Sequence, residues 1–138
     1  MTYISDTTRQ QVLLRANRRC EYCHAQKAII ITLEIDHIMP LSLGGQTELD
    51  NLCLACRPCN ANKKNIIQAV DPQTNMMQNL FNPRRDNWYD HFQWDKTGTI
   101  IIGLTPIGRA TIEQLRMNDV DMIEGRKIWV ETGLHPPK

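Results

Sequence analysis

The chain has 138 residues, 41% of them hydrophobic and 22% charged. That is enough for one globular domain burying roughly two thirds of its unfolded surface, and it excludes a disordered tail or a collagen-like repeat. Apolar runs such as 28–31 and 100–102 fall far short of the roughly 20 residues needed to cross a bilayer, and the first ten residues lack a signal-peptide core. A cytoplasmic protein with no membrane partner is therefore expected. Net charge is only +1, but its distribution is uneven. Arg9, Arg15, Arg18, Arg19 and Lys27 face Glu21 alone, and Arg57, Lys63, Lys64, Arg84 and Arg85 face Asp71 alone. Residues 28–56, between those groups, hold Glu34, Asp36, Glu48 and Asp50 with no base. A cationic, acidic, cationic order suits a site that grips phosphates on its flanks and a cation at its centre.

In chain order, residues 7–18 read as a helix after a polar cap at Ser5 or Asp6. Val12, Leu13, Ala16 and Cys20 share one face of it and lead into the motif CEYC. A β-branched strand over 29–36 is followed by a loop over 41–50 containing Gly44 and Gly45, and then by a short strand over 51–55. The motif CRPC runs into a short polar helix over 60–68. Residues 71–87, with Pro72, Pro83 and four asparagines, read as an extended connector. Beyond it, 91–94 and 99–104 are expected to pair through a turn at 95–98. Helices over 106–117 and 119–132 follow, stopped by Gly133 and the prolines. The fold class is α+β, with residues 1–70 forming a core and 71–138 a connector and α+β extension packed on it, together a single compact domain.

Cysteine spacing carries the first chemistry. Cys20 and Cys23 form one C-x2-C and Cys56 and Cys59 another, so four thiolates can close a tetrahedral zinc site. CEYCH also fits covalent haem attachment, but that chemistry belongs with export and leaves the second pair unexplained. Cys53 lies three residues before Cys56 and offers another pairing. In a strand, however, it alternates with Leu52 and Leu54, and it is expected to be a packed thiol.

The segment between the knuckles places Asp36-His37 at the end of one strand, Asn51 at the start of the next, and Asn60 after the last zinc cysteine. With DHIMPLSLGG, LDNL and two flanking cysteine pairs, residues 18–68 resemble the zinc-bearing HNH endonucleases, which have the ββα-metal (His-Me finger) fold. The resemblance implies His37 as general base, Asp36 as ligand of a catalytic divalent ion and Asn51 as the residue that fixes the loop by backbone hydrogen bonds. It also implies Asn60 as second ligand, standing where the family name has histidine. A neutral imidazole can take a proton from water near neutral pH, and a hard cation neutralises charge building on a phosphoryl group. Two oxygen ligands suit magnesium or manganese at that position, beside the structural zinc.

The expected activity is hydrolysis of DNA phosphodiester bonds, with double-stranded DNA as partner, no small-molecule cofactor, and a monomer or weak homodimer. The alternative is a zinc-stabilised nucleic-acid-binding module without cleavage. Lys63, Lys64, Arg84 and Arg85 are candidate phosphate clamps. Trp88, Tyr89, Phe92 and Trp94 read as a satellite core, and His24 and His91 as structural histidines. From residue 80 onward, LFNPR, GLTPIGRAT and GLHPP resemble the tail of some small stand-alone HNH proteins. Over 109–138, five bases face five acids, and Ile107, Leu115, Val120, Ile123, Trp129 and Val130 are available for burial. This half therefore reads as packing material rather than a second DNA reader.

Overall fold

A computed structural model describes residues 3–27 and 32–137. Helix α1 (Asp6–Arg15) starts at Ser5, whose side chain accepts from the Thr8 amide. It ends three residues earlier than expected, because Asn17 and Arg18 both adopt positive φ as the chain turns into the first knuckle. Strand β1 (Leu33–His37) pairs antiparallel with β2 (Leu52–Cys56), with Asp36 opposite Cys53 and His37 opposite Leu52. Part of the expected first strand, residues 29–31, lies outside the described residues.

Every residue of β2 is buried, because the two-stranded sheet is covered on both faces. One face, with Leu33, Ile35, Leu52 and Leu54, packs under Val12 and Ala16 of α1. The other, with Cys53 and Ala55, belongs to the main core. Helix α2 (Arg57–Lys63) follows β2 directly, with Cys56 as its N-cap residue and Pro58 in its first turn. It is shorter than the helix expected over 60–68, since Lys64 turns out of it at φ 57°.

Residues 71–87 are not wholly an extended connector. Strands β3 (Gln68–Asp71) and β4 (Met76–Asn79) form an antiparallel hairpin. Asp71 organises its turn, accepting from the Gln73 amide at 3.0 Å and the Thr74 hydroxyl at 2.9 Å. The same carboxylate receives both arms of Arg109 at 3.0 and 2.9 Å. That bidentate pair joins the hairpin to α4 (Pro106–Leu115) and holds the Asp71 carboxyl well below the usual carboxylate range.

A short helix α3 (Trp88–His91) leads into β5 (Phe92–Trp94), which pairs with β6 (Ile101–Gly103) as the turn residues imply. Helix α4 is capped by Thr105, and α5 (Val120–Glu131) completes the chain's regular elements. Val120, expected to be buried, is 73% exposed because it sits at the first turn of α5, clear of the core.

Trp88, Phe92, Leu115 and Met117 are buried in the same cluster as the four knuckle cysteines, with Trp94 packed against it. The aromatics are thus continuous with the main core rather than a satellite. Two beside them, Tyr89 and Trp94, are less enclosed, and Tyr89 is exposed.

Candidate active site and metal centre

The sulfurs of Cys20, Cys23, Cys56 and Cys59 lie within 4.8 Å of one another, and all four residues are buried. A tetrahedron with metal–sulfur bonds of about 2.3 Å has edges of roughly 3.8 Å, and Cys23 and Cys56 stand 3.6 Å apart. Local backbone geometry builds the first corner. The Cys20 amide donates to Ala25 O, the His24 amide to Cys20 O, and the Cys23 amide to the Cys20 sulfur at 3.4 Å. His24 closes this turn at φ 65°.

Hydrogen bonding from the neighbouring cysteines pulls the Cys23 thiol down, while the same crowding pushes Cys56 and Cys59 up. Four ionised thiolates therefore need a cation among them, and the cluster can hold a structural zinc. Cys53 stays outside it, packed 3.6 Å from the Tyr22 hydroxyl and 3.7 Å from Asp36.

The first knuckle is tied to the sheet in both directions, by Glu21 N to Leu54 O at 2.8 Å and Leu54 N to the Glu21 carboxylate at 2.7 Å. Tyr22, between the two cysteines, is buried and donates its hydroxyl to Asp36 at 3.0 Å. Trp88 donates its indole N–H to Tyr22 O at 2.8 Å. Tyr22 is thus a site residue that the spacing of the cysteines did not reveal.

After β1 the chain folds back on itself around Asn51. Its amide oxygen accepts from Met39 N at 2.8 Å, and its amide nitrogen donates to Met39 O and Gln46 O at 3.0 and 2.8 Å. Every polar atom of that side chain is spent on the loop. The closeness of the fold also explains Gly45, since a Cβ there would lie 1.8 Å from Met39 O. Arg15 of α1 clamps the returning chain through Leu49 O and Leu52 O, at 2.9 and 2.7 Å.

His37 ends β1 with its Nε2 2.9 Å from the Thr47 hydroxyl, and its Nδ1 has no hydrogen bond among the described residues. The ring is therefore oriented by Thr47, from the loop, and not by the adjacent carboxylate. Strand alternation sends Asp36 to the opposite face, towards α2. There Asp36 is 7% exposed and accepts from Tyr22 and from the Lys63 ammonium, the latter at 3.1 Å. Lys63 also donates to His37 O and Ile38 O, both at 3.2 Å. Asn60, one turn before Lys63, donates to the Glu34 carboxylate at 3.0 Å, and Arg57 reaches the same carboxylate at 3.3 Å. The structure thus brings Glu34, Asp36, Asn60 and Lys63 to one side of β1 and places the His37 ring at its end.

Two of the four phosphate-clamp expectations need correction. Lys63 is only 2% exposed, because its charge is drawn inward to balance Asp36, and it does not present an ammonium to solvent. Arg84 is largely covered and ion-paired with Glu21. Lys64 and Arg85 are exposed. Arg85 lines a cleft of about 370 Å³ that also touches Met39, Asn51 and Asn82. His24 stacks on Trp88 at 4.1 Å, with burial lowering its pKa to about 4, and His91 bonds the Thr105 hydroxyl at 2.7 Å. Both are committed to packing.

A two-stranded sheet and a helix, stapled by a four-cysteine cluster, define a ββα unit with a cysteine knuckle at each end. A family model described as HNH endonuclease matches residues 20–65, the span of that unit. The match covers about a third of the chain and supports a nuclease-type function that acts on nucleic acid. No curated protein and no solved structure matches the chain. Among the described residues, no helix is long and apolar enough to cross a membrane.

Proposed function

We propose that the protein is a metal-dependent endonuclease that hydrolyses DNA phosphodiester bonds, with His37 as general base and a structural zinc on the four cysteines. The observation that carries the proposal is the state of the His37 ring. Its Nε2 lies 2.9 Å from the Thr47 hydroxyl, and in the tautomer that donates there the lone pair of Nδ1 is left to accept a proton from a water molecule. The hydrogen bonds of Asn51 hold the loop that carries Thr47, so the base is oriented through two layers of support.

Asp36 and Asn60 offer hard oxygen atoms from one side of β1, the right donor type for magnesium or manganese. Such an ion, when bound, would neutralise charge developing on the phosphoryl group. The Lys63 ammonium already balances Asp36, so an ion at that carboxylate competes with it. Removing this competitor has a measurable consequence. In Lys63→Gln, cleavage should reach half its maximum at a lower magnesium concentration than in the parent. An unchanged requirement in folded variant would place the ion away from Asp36.

The buried Lys63–Asp36 pair is also the one observation that favours the second reading, a zinc-stabilised binding module without cleavage. Plasmid cleavage separates the two. One chain has one Asp36, His37 and Asn60 set and cuts one strand per encounter. Supercoiled DNA should therefore pass through an open-circle form before linear product accumulates. A time course showing linear product with no open-circle intermediate would contradict that single-strand mechanism, and DNA that is bound but never cut would favour the binding module.

A further inference from the structure

Glu34 stands two residues before Asp36, on the same face of β1. Its two carboxylate oxygens take different partners from α2. Oε2 accepts from Arg57 at 3.3 Å, and Oε1 accepts from the Asn60 side-chain amide at 3.0 Å. Arg57 and Asn60 lie nearly one turn apart on that helix, so the carboxylate reaches both. The ion pair with Arg57 is open to solvent, with the arginine side chain 68% exposed, and such pairs contribute little to stability. The bond to Asn60 is partly buried and has a different consequence.

An ionised carboxylate only accepts hydrogen bonds, whereas an amide carries donors at one end and an acceptor at the other. Asn60 can therefore meet Glu34 only through its nitrogen. Its oxygen points away from the carboxylate and makes no hydrogen bond among the described residues. That orientation decides whether Asn60 can serve a cation, since an amide oxygen ligates a hard ion and an amide nitrogen does not. Metal-ligating histidines are oriented in a similar manner, by giving their second N–H to a carboxylate or carbonyl. An imidazole has a ligating nitrogen on either side, but an amide flipped end for end offers none.

We propose that Glu34 is a positioning residue for the catalytic ion. Its own oxygens are occupied by Arg57 and Asn60, and it fixes the Asn60 amide with the oxygen free to ligate. The inference rests on the reading that Asp36 and Asn60 hold that ion. It separates the tasks of the two acids of β1, since Asp36 is matched by Lys63 and Glu34 by α2 donors.

The test is the affinity of zinc-loaded protein for manganese, read without DNA from the electron paramagnetic resonance signal of the free ion. Parent, Glu34→Gln, Arg57→Gln, Asn60→Asp and the Glu34→Gln/Asn60→Asp double variant are compared. Glu34 and Asn60 are only half-buried, so the variants should fold, and thermal unfolding checks this. In Glu34→Gln an amide replaces the carboxylate and no longer dictates which end of Asn60 faces it. Manganese binding should weaken about 10- to 100-fold, the range typical for loss of an outer-shell partner. Arg57→Gln removes the ion pair but leaves the bond to Asn60, and should stay within a few-fold of the parent. In Asn60→Asp either carboxylate oxygen can ligate, so orientation ceases to matter and adding Glu34→Gln should change the affinity no more than a few-fold. Parent-like affinity in Glu34→Gln would overturn the proposal. So would an equal loss with and without Asn60→Asp, which would make Glu34 a ligand or a source of charge alone. A parent whose manganese binding is absent, or indifferent to Asn60→Ala, would instead sink the Asp36 and Asn60 ion reading itself.

Discussion

Cys20→Ser and Cys59→Ser should each abolish accumulation of soluble protein. The two residues lie in different knuckles, one after α1 and one in the first turn of α2, and a zinc ion on the four thiolates would be the bond between them. Structural zinc contributes on the order of 10 to 16 kcal/mol in small zinc-finger peptides. That range is comparable to or larger than the whole stability of a typical domain, about 5 to 15 kcal/mol. Without the ion, four crowded and buried sulfurs would have to stay together unaided in the centre of the main core. Cys53→Ser provides the contrast. Its thiol is buried beside Tyr22 and Asp36 but outside the cluster, so the variant should fold and retain its metal at a cost of at most a few kcal/mol. Soluble yield and metal content of the three variants check this. Cys59→Ser protein that is soluble and as stable as the parent would refute the account of the knuckles.

His37→Ala should retain fold and zinc while cleaving about 10²- to 10⁴-fold more slowly, the usual contribution of a general base. The side chain is partly exposed and its ring makes one hydrogen bond, to Thr47. Its removal therefore leaves no buried polar group stranded, and the loop keeps its Asn51 bonds to Met39 and Gln46. The change in rate is thereby separated from a change in stability. Cleavage rates under saturating enzyme, alongside thermal unfolding of both proteins, measure the two effects independently. A variant that cuts as fast as the parent would remove His37 from the mechanism.

What was legible in the sequence was chemistry tied to short spacing. The two C-x2-C pairs, Gly45 and Asn51 each act within a few residues or across one antiparallel pair. Their residue types narrow the possible roles sharply. Gly45 is a clear instance, since the approach of Met39 O leaves no room for a side chain.

The strands β3 and β4 were hidden for the opposite reason. Gln68–Asp71 and Met76–Asn79 lack β-branched runs, and Asp71-Pro72 reads as a turn in a connector until Arg109, 38 residues on, is seen to anchor it. Lys63 was misplaced because a lysine on a polar helix ordinarily faces water. Only the packing of α2 on the Asp36 face of β1 shows where its charge goes. Thr47 belongs to no pattern, and its role appears only when the loop is folded back onto His37.

The central claim, that this fold cuts DNA, is tested most directly by following cleavage and protein together through the last purification step. Fractions across the elution peak are incubated with supercoiled plasmid, with magnesium and with a mild chelator that leaves the four-cysteine site loaded. The account predicts open-circle product in proportion to protein and zinc across the peak, dependent on magnesium, and lost when His37→Ala is purified in the same way. Peak fractions that bind the plasmid yet leave it supercoiled at every magnesium concentration, or nicking that elutes apart from the protein, would contradict it.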